Sequence, residues 1–203
     1  IRIGALPLEM EELRSQVVGA SLGTNAIRTS LIACAIGLAL VCVLMIVLYR
    51  MPGFASALAL VFYTGVIVLL LAAFNNEITL TLPGIAGIIL SIGMAVDANV
   101  IIFSRIREEI GLGRSTNEAI RAGFAKALSA IIDGNVTTLI AAAVLYLFGS
   151  GTVKGFAITL ALGIVLSMFT ALVITKLIIK SLYELGLRDK KFYGETKHSA
   201  AKD

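Results

Sequence analysis

From Thr29 to Tyr49 the chain runs without a charge, bracketed by Arg28 and Arg50. At ~1.5 Å of rise per residue, a helix of that length spans roughly the ~30 Å hydrocarbon core of a bilayer. Inside hydrocarbon every backbone N–H and C=O must be satisfied within the segment, so a single run of this kind can only be a helix. The pattern recurs along the chain. Hydrophobic residues make up 58% of the sequence and charged residues only 15%, against about a quarter charged in soluble domains. The apolar excess is gathered into runs at about 29–49, 54–74, 83–103, 133–148 and 155–175. The expected fold is therefore an all-α polytopic membrane bundle of five transmembrane helices.

The punctuation between the runs is specific. Thr24 or Asn25 offers an N-cap for the first span, and Met51-Pro52-Gly53 reads as a tight turn. Asn75-Asn76-Glu77 reads as a short polar hairpin, leading into an extended Ile78–Leu82. Pro83 suits the first turn of span three. Gly111 and Gly113 break the charged segment beyond span three, and Ser115 with Glu118 three residues on forms a capping box. After it Ile120, Phe124, Ala127 and Leu128 share one face, which predicts a cytoplasmic amphipathic helix to about Ala130, lying along the membrane surface or under the spans, with a solvated linker helix as the alternative. Gly149-Ser150-Gly151-Thr152 turns the chain into span five. The division expected is a polar lead-in over 1–27 containing a strand remnant, a membrane domain over 28–180, and a polar tail over 181–203. The chain opens on Ile1 with no signal-peptide pattern, as a piece of a longer protein would.

Basic residues predict the orientation. Five spans place the termini on opposite sides. Thirteen of the seventeen Lys and Arg fall on the side of Arg50, Arg105–Lys126 and the tail from Lys176, while Arg2, Arg14, Arg28 and Lys154 fall on the other. By the positive-inside rule the first group is cytoplasmic, so the N-terminus is outside and the C-terminus inside. The basic balance thus marks topology, and nothing points to nucleic acid. Cys34 and Cys42 lie in an apolar run and read as ordinary buried thiols; His198 has no ligand-like company. There is no metal-ligand cluster, phosphate loop or catalytic triad pattern, so neither a cofactor nor an enzymatic role is expected.

Span three carries the one group that is costly where it stands. Asp97 lies ~21 Å of helix rise beyond Pro83 and ~12 Å before Arg105, too deep for its short side chain to reach water unaided. A carboxylate there costs ~2.5 kcal/mol or more at the bilayer centre. Loss of hydration penalises its charged form, so such a group is suited to taking a proton from one side and releasing it to the other. Ala86, Leu90, Gly93, Asp97 and Ser104 share its stripe, while Asn99 points to the opposite face. Polar groups on both faces predict a span central in its bundle. Span five carries a small and hydroxyl-bearing stripe, Gly155, Thr159, Gly163, Ser167 and Thr170, a candidate packing partner for the Asp97 face. Asp133, Asn135, Thr137 and Thr138 offer a second polar station at the cytoplasmic mouth of span four, though Asp133 also suits an interfacial position near a helix N-terminus. No cation lies within the five spans, so any ionic partner for Asp97 comes from another chain.

The run GMAVDANVIIFSRIREE, together with ALPLEMEE, VGASLG, YRMPG, LTLPGIAGIIL, AIRAGFAKAL, DGNVTTLIAA, TVKGFAITLALGI and SMFTA in that order, resembles the SecD family of the SecDF protein-export machinery, within the resistance–nodulation–division (RND) superfamily. The resemblance covers nearly the whole chain up to Lys180. It implies a half bundle of six helices of which this chain holds the last five, with residues 1–27 ending a large extracytoplasmic domain. It implies partnership with SecF and the SecYEG channel, downstream of SecA, in the cell membrane. It further implies use of the proton-motive force through Asp97 as a proton relay, with SecF supplying a further Asp and Arg. Ser104 departs from the larger polar residue many relatives carry, and the first helix and the polypeptide-capturing domain are not in this sequence. Two other readings remain open at this level: a fragment of an RND-type small-molecule proton antiporter, and a non-conducting translocon scaffold.

Overall fold

The computed structural model describes residues 20–73, 81–185 and 193, with side chains described from residue 28. The proposed strand remnant, the Asn75–Glu77 hairpin, and the tail beyond Leu185 except Tyr193 lie outside the described residues. The elements are α1 (Ala20–Tyr49), α2 (Met51–Ala73), α3 (Leu82–Gly111), α4 (Thr116–Phe148), α5 (Thr152–Phe169), a π-helical turn (Thr170–Ile174) and α6 (Thr175–Glu184). The last three are continuous, so five rods are long and apolar enough to cross a membrane. Large apolar side chains such as Leu40, Val47, Leu69, Ile140 and Leu147 face outward, each more than 60% exposed. That surface is the one a bilayer solvates, and the protein is a multi-pass membrane protein.

Three local expectations change. Helix α1 already runs through Thr24 and Asn25, so neither caps it. The α1–α2 turn is not Met51-Pro52-Gly53 but the single residue Arg50, at φ 53°. Pro52 sits in the first turn of α2, where its missing N–H is no loss. Gly53 lies against the Met45 carbonyl, and any Cβ there would collide with it. The reversal is thus compact because Gly53 lets two helix ends touch. The third change concerns the amphipathic segment. It is capped as predicted, with the Ser115 hydroxyl accepting from the Glu118 amide at 3.4 Å and Glu118 Oε2 accepting from the Ser115 amide at 3.2 Å. It does not lie apart along a surface, however. It continues through Gly134 into span four as one 33-residue helix. Ile120, Phe124 and Ala127 are buried, whereas Leu128 is exposed. What the sequence shows as amphipathy is the footprint of α3: Gly123 sits so close to Ile106 that a Cβ would lie 2.8 Å from the Ile106 amide nitrogen.

Helix α3 is the axis on which the others pack. Thr81 caps it, its hydroxyl accepting from the Gly84 amide at 3.2 Å. Its buried side, including Ile102, Phe103 and Ile106, forms the core with Tyr63 of α2, Ile131 of α4 and Ile179 of α6. The Tyr49 and Phe103 rings meet at 5.5 Å. Helix α1 is peripheral, with only 6% of its apolar window buried.

Candidate functional site

Two faces of α3 have opposite fates. The buried face bears Gly84, Gly87, Ser91 and Asn99, and α5 lies along it. Thr159 Oγ donates within reach of the Gly84 carbonyl at 3.1 Å and of its own helix's Phe156 carbonyl at 3.0 Å. A Cβ at Gly163 would overlap Ser91 Cβ and Oγ. Ser91 Oγ in turn lies 2.6 Å from the Tyr63 hydroxyl of α2. Just beyond the π-helical turn stands Thr175, whose Oγ donates to Asn99 Oδ1 at 3.0 Å. Thr159, Gly163, Ser167 and Thr170 are all buried. Thr159 and Gly163 meet this face and not the Asp97 face, which corrects the pairing read from the stripes alone. Gly93 takes no part in that seam, since nothing would lie within 4 Å of a Cβ there.

The Asp97 face is open. Ala86, Leu90, Gly93 and Asp97 are all exposed and Ser104 is half-buried. Span three is therefore covered on one side only within this chain, not enclosed all round. Asp97 lines a groove of about 230 Å³ between α3 and α4, floored by Met94, Ala98, Ile131 and Gly134 and shared with Asn135. Among the described residues, no hydrogen bond or ion pair engages the Asp97 carboxylate. Asn135 is buried and donates from Nδ2 to the Ile131 carbonyl at 2.7 Å.

The remaining polar residues of α4 are not gathered with Asp97. Asp133 is exposed, with Oδ2 accepting from Ser129 Oγ at 3.3 Å. Thr137 and Thr138 donate to the Asp133 and Gly134 carbonyls of their own helix, at 2.9 and 3.0 Å. Such back-bonding satisfies a hydroxyl in hydrocarbon without any neighbour.

Sequence reasoning missed three features. The Gly84, Gly87, Ser91 series has helical spacing and was available as a signal. The ion-paired Glu109 was not: its carboxylate is fully buried, yet it stands among charges that resemble a solvated helix end. Arg114 Nε reaches it at 2.9 Å and Lys126 Nζ at 2.5 Å, tying the α3–α4 turn to the flank of α4. The π-helical turn has no local signature either. At the same end Arg107 donates to the Leu48 carbonyl at 3.1 Å and lies 5.2 Å from the centre of the Tyr49 ring.

Comparison with known proteins places this arrangement. Residues 4–185 match the family described as protein export membrane protein SecD/SecF, C-terminal. The chain is 53% identical over 180 residues to the protein translocase subunit SecD of Synechocystis, covering 88% of this chain and 38% of that protein. It is 50% identical over 182 residues to the subunit of the same name from Acidaminococcus fermentans, covering 90% and 43%. It matches the crystal structure of SecDF, a translocon-associated membrane protein from Thermus thermophilus, with a TM-score of 0.79 and 38% identity, over 83% of this chain and 23% of that one. The chain thus spans less than half the length of these relatives.

Proposed function

The chain belongs to the SecD/SecF family of protein-export membrane proteins, and on that premise we propose that its five helices serve the proton-driven stage of polypeptide export, with Asp97 as the group that takes up and releases the proton. The observation that carries this reading is an unengaged carboxylate within a spanning helix, on a face that the chain itself leaves uncovered. A charged group in such a place is retained for what it does, because it costs stability where it stands. Asn135 is the neighbour placed to hydrogen-bond a proton carrier in the groove. Asn99 holds the opposite face of α3 to Thr175, just beyond the π-helical turn.

In this reading the open stripe Ala86–Leu90–Gly93–Asp97 seats a helix of SecF, whose cation faces Asp97 in its ionised form. Protonation removes that attraction and lets α3 shift against its partner. The shift is delivered to an extracytoplasmic domain that precedes residue 28 in the whole protein. The complex works beside SecYEG, after SecA, in the cell membrane, with the N-terminal end of this chain outside and its C-terminal end in the cytoplasm. The chain makes and breaks no covalent bond. Residues 28–180 are the membrane domain and 181–203 a cytoplasmic tail.

The test is Asp97→Asn in the full-length protein with its partners, followed in inverted membrane vesicles. Completion of translocation is expected to lose its dependence on the proton-motive force while the complex still assembles. Normal proton-coupled export in that variant overturns the proposal. Equal proton flux in the native protein and the variant, measured with SecF present, favours a non-conducting scaffold instead.

A further inference from the structure

A second cluster of charge, unrelated to Asp97, is built at the opposite flank of α4. The first two turns of α4 and one face of α6 flank a cleft of about 330 Å³ lined by Asn117, Ile120, Arg121, Lys176, Lys180 and Tyr183. Three cations converge on it, and all three are exposed. Among the described residues, the acids nearby do not neutralise them. Glu118 is engaged in the cap of α4 through Ser115. Glu109 is taken by Arg114 and Lys126. Glu184 approaches only Lys180, at 3.8 Å, with both side chains about two-thirds exposed. Lys176 is held over the Phe124 ring at 5.8 Å, which keeps its ammonium beside the cleft. The positive end of the α4 dipole opens at the same place.

We infer that this cleft binds the phosphate of an anionic phospholipid from the leaflet at the basic end of the bundle. Basic pockets between transmembrane helices at that depth suit anionic headgroups. The surroundings select a lipid over a free anion. Val173, Lys176, Leu177 and Lys180 recur at helical spacing, and Val173 and Leu177 are exposed. A phosphate held by Lys176 and Lys180 therefore has its acyl chains laid along apolar side chains on the membrane side of the cleft. Clamping α6 to the start of α4 through one lipid would couple the π-helical turn, and hence Asn99, to the composition of that leaflet.

The experiment uses the full-length protein with SecF, stripped of lipid in detergent and given equimolar phosphatidylglycerol and phosphatidylcholine, with bound lipid read by native mass spectrometry. Phosphatidylglycerol is expected to be retained preferentially. Lys180→Gln alone, a change on an exposed helix surface, should lower that preference about fivefold, the contribution of one cation near an anionic lipid. Arg121→Gln, Lys176→Gln and Lys180→Gln together should abolish it, while Lys154→Gln at the far end leaves it unchanged. Glycerol phosphate or inorganic phosphate at matching concentration should not displace the lipid; displacement would make this a free-anion site and overturn the lipid reading. Equal retention of the two lipids by the unmutated protein would also overturn it, and would point to an acidic protein surface as the occupant. A preference that survives the triple substitution would overturn the placement.

Discussion

Replacing Gly163 by Ala tests the seam that holds α3 to α5. In an exposed helix interior this change is stabilising by ~1 kcal/mol, because Ala loses less backbone freedom than Gly. At Gly163 the new methyl would overlap Ser91 Cβ and Oγ and sit 3.1 Å from the Tyr63 hydroxyl. Ser91 Cβ is fixed to its backbone and cannot rotate away, so the two backbones must separate. Separation also stretches the Tyr63–Ser91 contact of 2.6 Å and the bond from Tyr63 to the Gly163 carbonyl at 3.4 Å. Overpacking of this kind costs ~1–3 kcal/mol, here near the upper end. Set against the propensity gain, the net loss expected is about 1–2 kcal/mol, or roughly 2–8 °C in melting temperature for a chain of this size. The assay is the temperature at which the detergent-solubilised protein leaves its monodisperse peak in size-exclusion chromatography. Gly93→Ala is the internal contrast: a methyl there meets nothing, so the same assay should show no loss. Ser91→Gly combined with Gly163→Ala should recover part of the deficit, with a coupling of about 1 kcal/mol or more. A Gly163→Ala protein as stable as the parent, or additive losses in the double variant, would refute the argument that this close approach governs the packing.

The same geometry sets two further outcomes. Thr175→Val removes the donor to Asn99 Oδ1 and should cost about 0.6 kcal/mol, the average for interhelical hydrogen bonds within a membrane, and no more than ~1.7; the same thermal assay reads it as a shift of a few degrees at most. Glu109→Gln leaves Arg114 and Lys126 without the carboxylate they share, so limited trypsin digestion should nick the α3–α4 turn at Arg114 faster than in the parent, with the rest of the bundle resisting as before.

How far the sequence reaches depends on which interaction decides each feature. Backbone satisfaction in hydrocarbon depends on length and hydropathy alone, so the five spans can be read directly from the long apolar runs. Caps depend on three or four adjacent residues, and the Ser115–Glu118 box is legible for that reason. The depth of Asp97 comes from counting residues, and its isolation from any cation within the spans comes from composition. Membership of the export family was legible too, in motifs such as GMAVDANV and DGNVTTLIAA, because those strings are long and ordered.

Tertiary structure decided the rest, since it turns on which face of one helix meets which face of another. Both sides of α3 carry small residues, Gly84, Gly87 and Ser91 on one and Ala86 and Gly93 on the other, so spacing alone could not say which would receive α5. Contact with Tyr63 and Thr175 selects the first. The amphipathic start of α4 has the same period whether it faces a headgroup layer or a neighbouring helix, and only the approach of Gly123 to Ile106 distinguishes them. The single-residue reversal at Arg50 depends on the meeting of Gly53 with Met45. Sequence placed a costly carboxylate in the membrane; packing left it exposed on an uncovered face, beside Asn135, because α5 had already taken the other side of its helix.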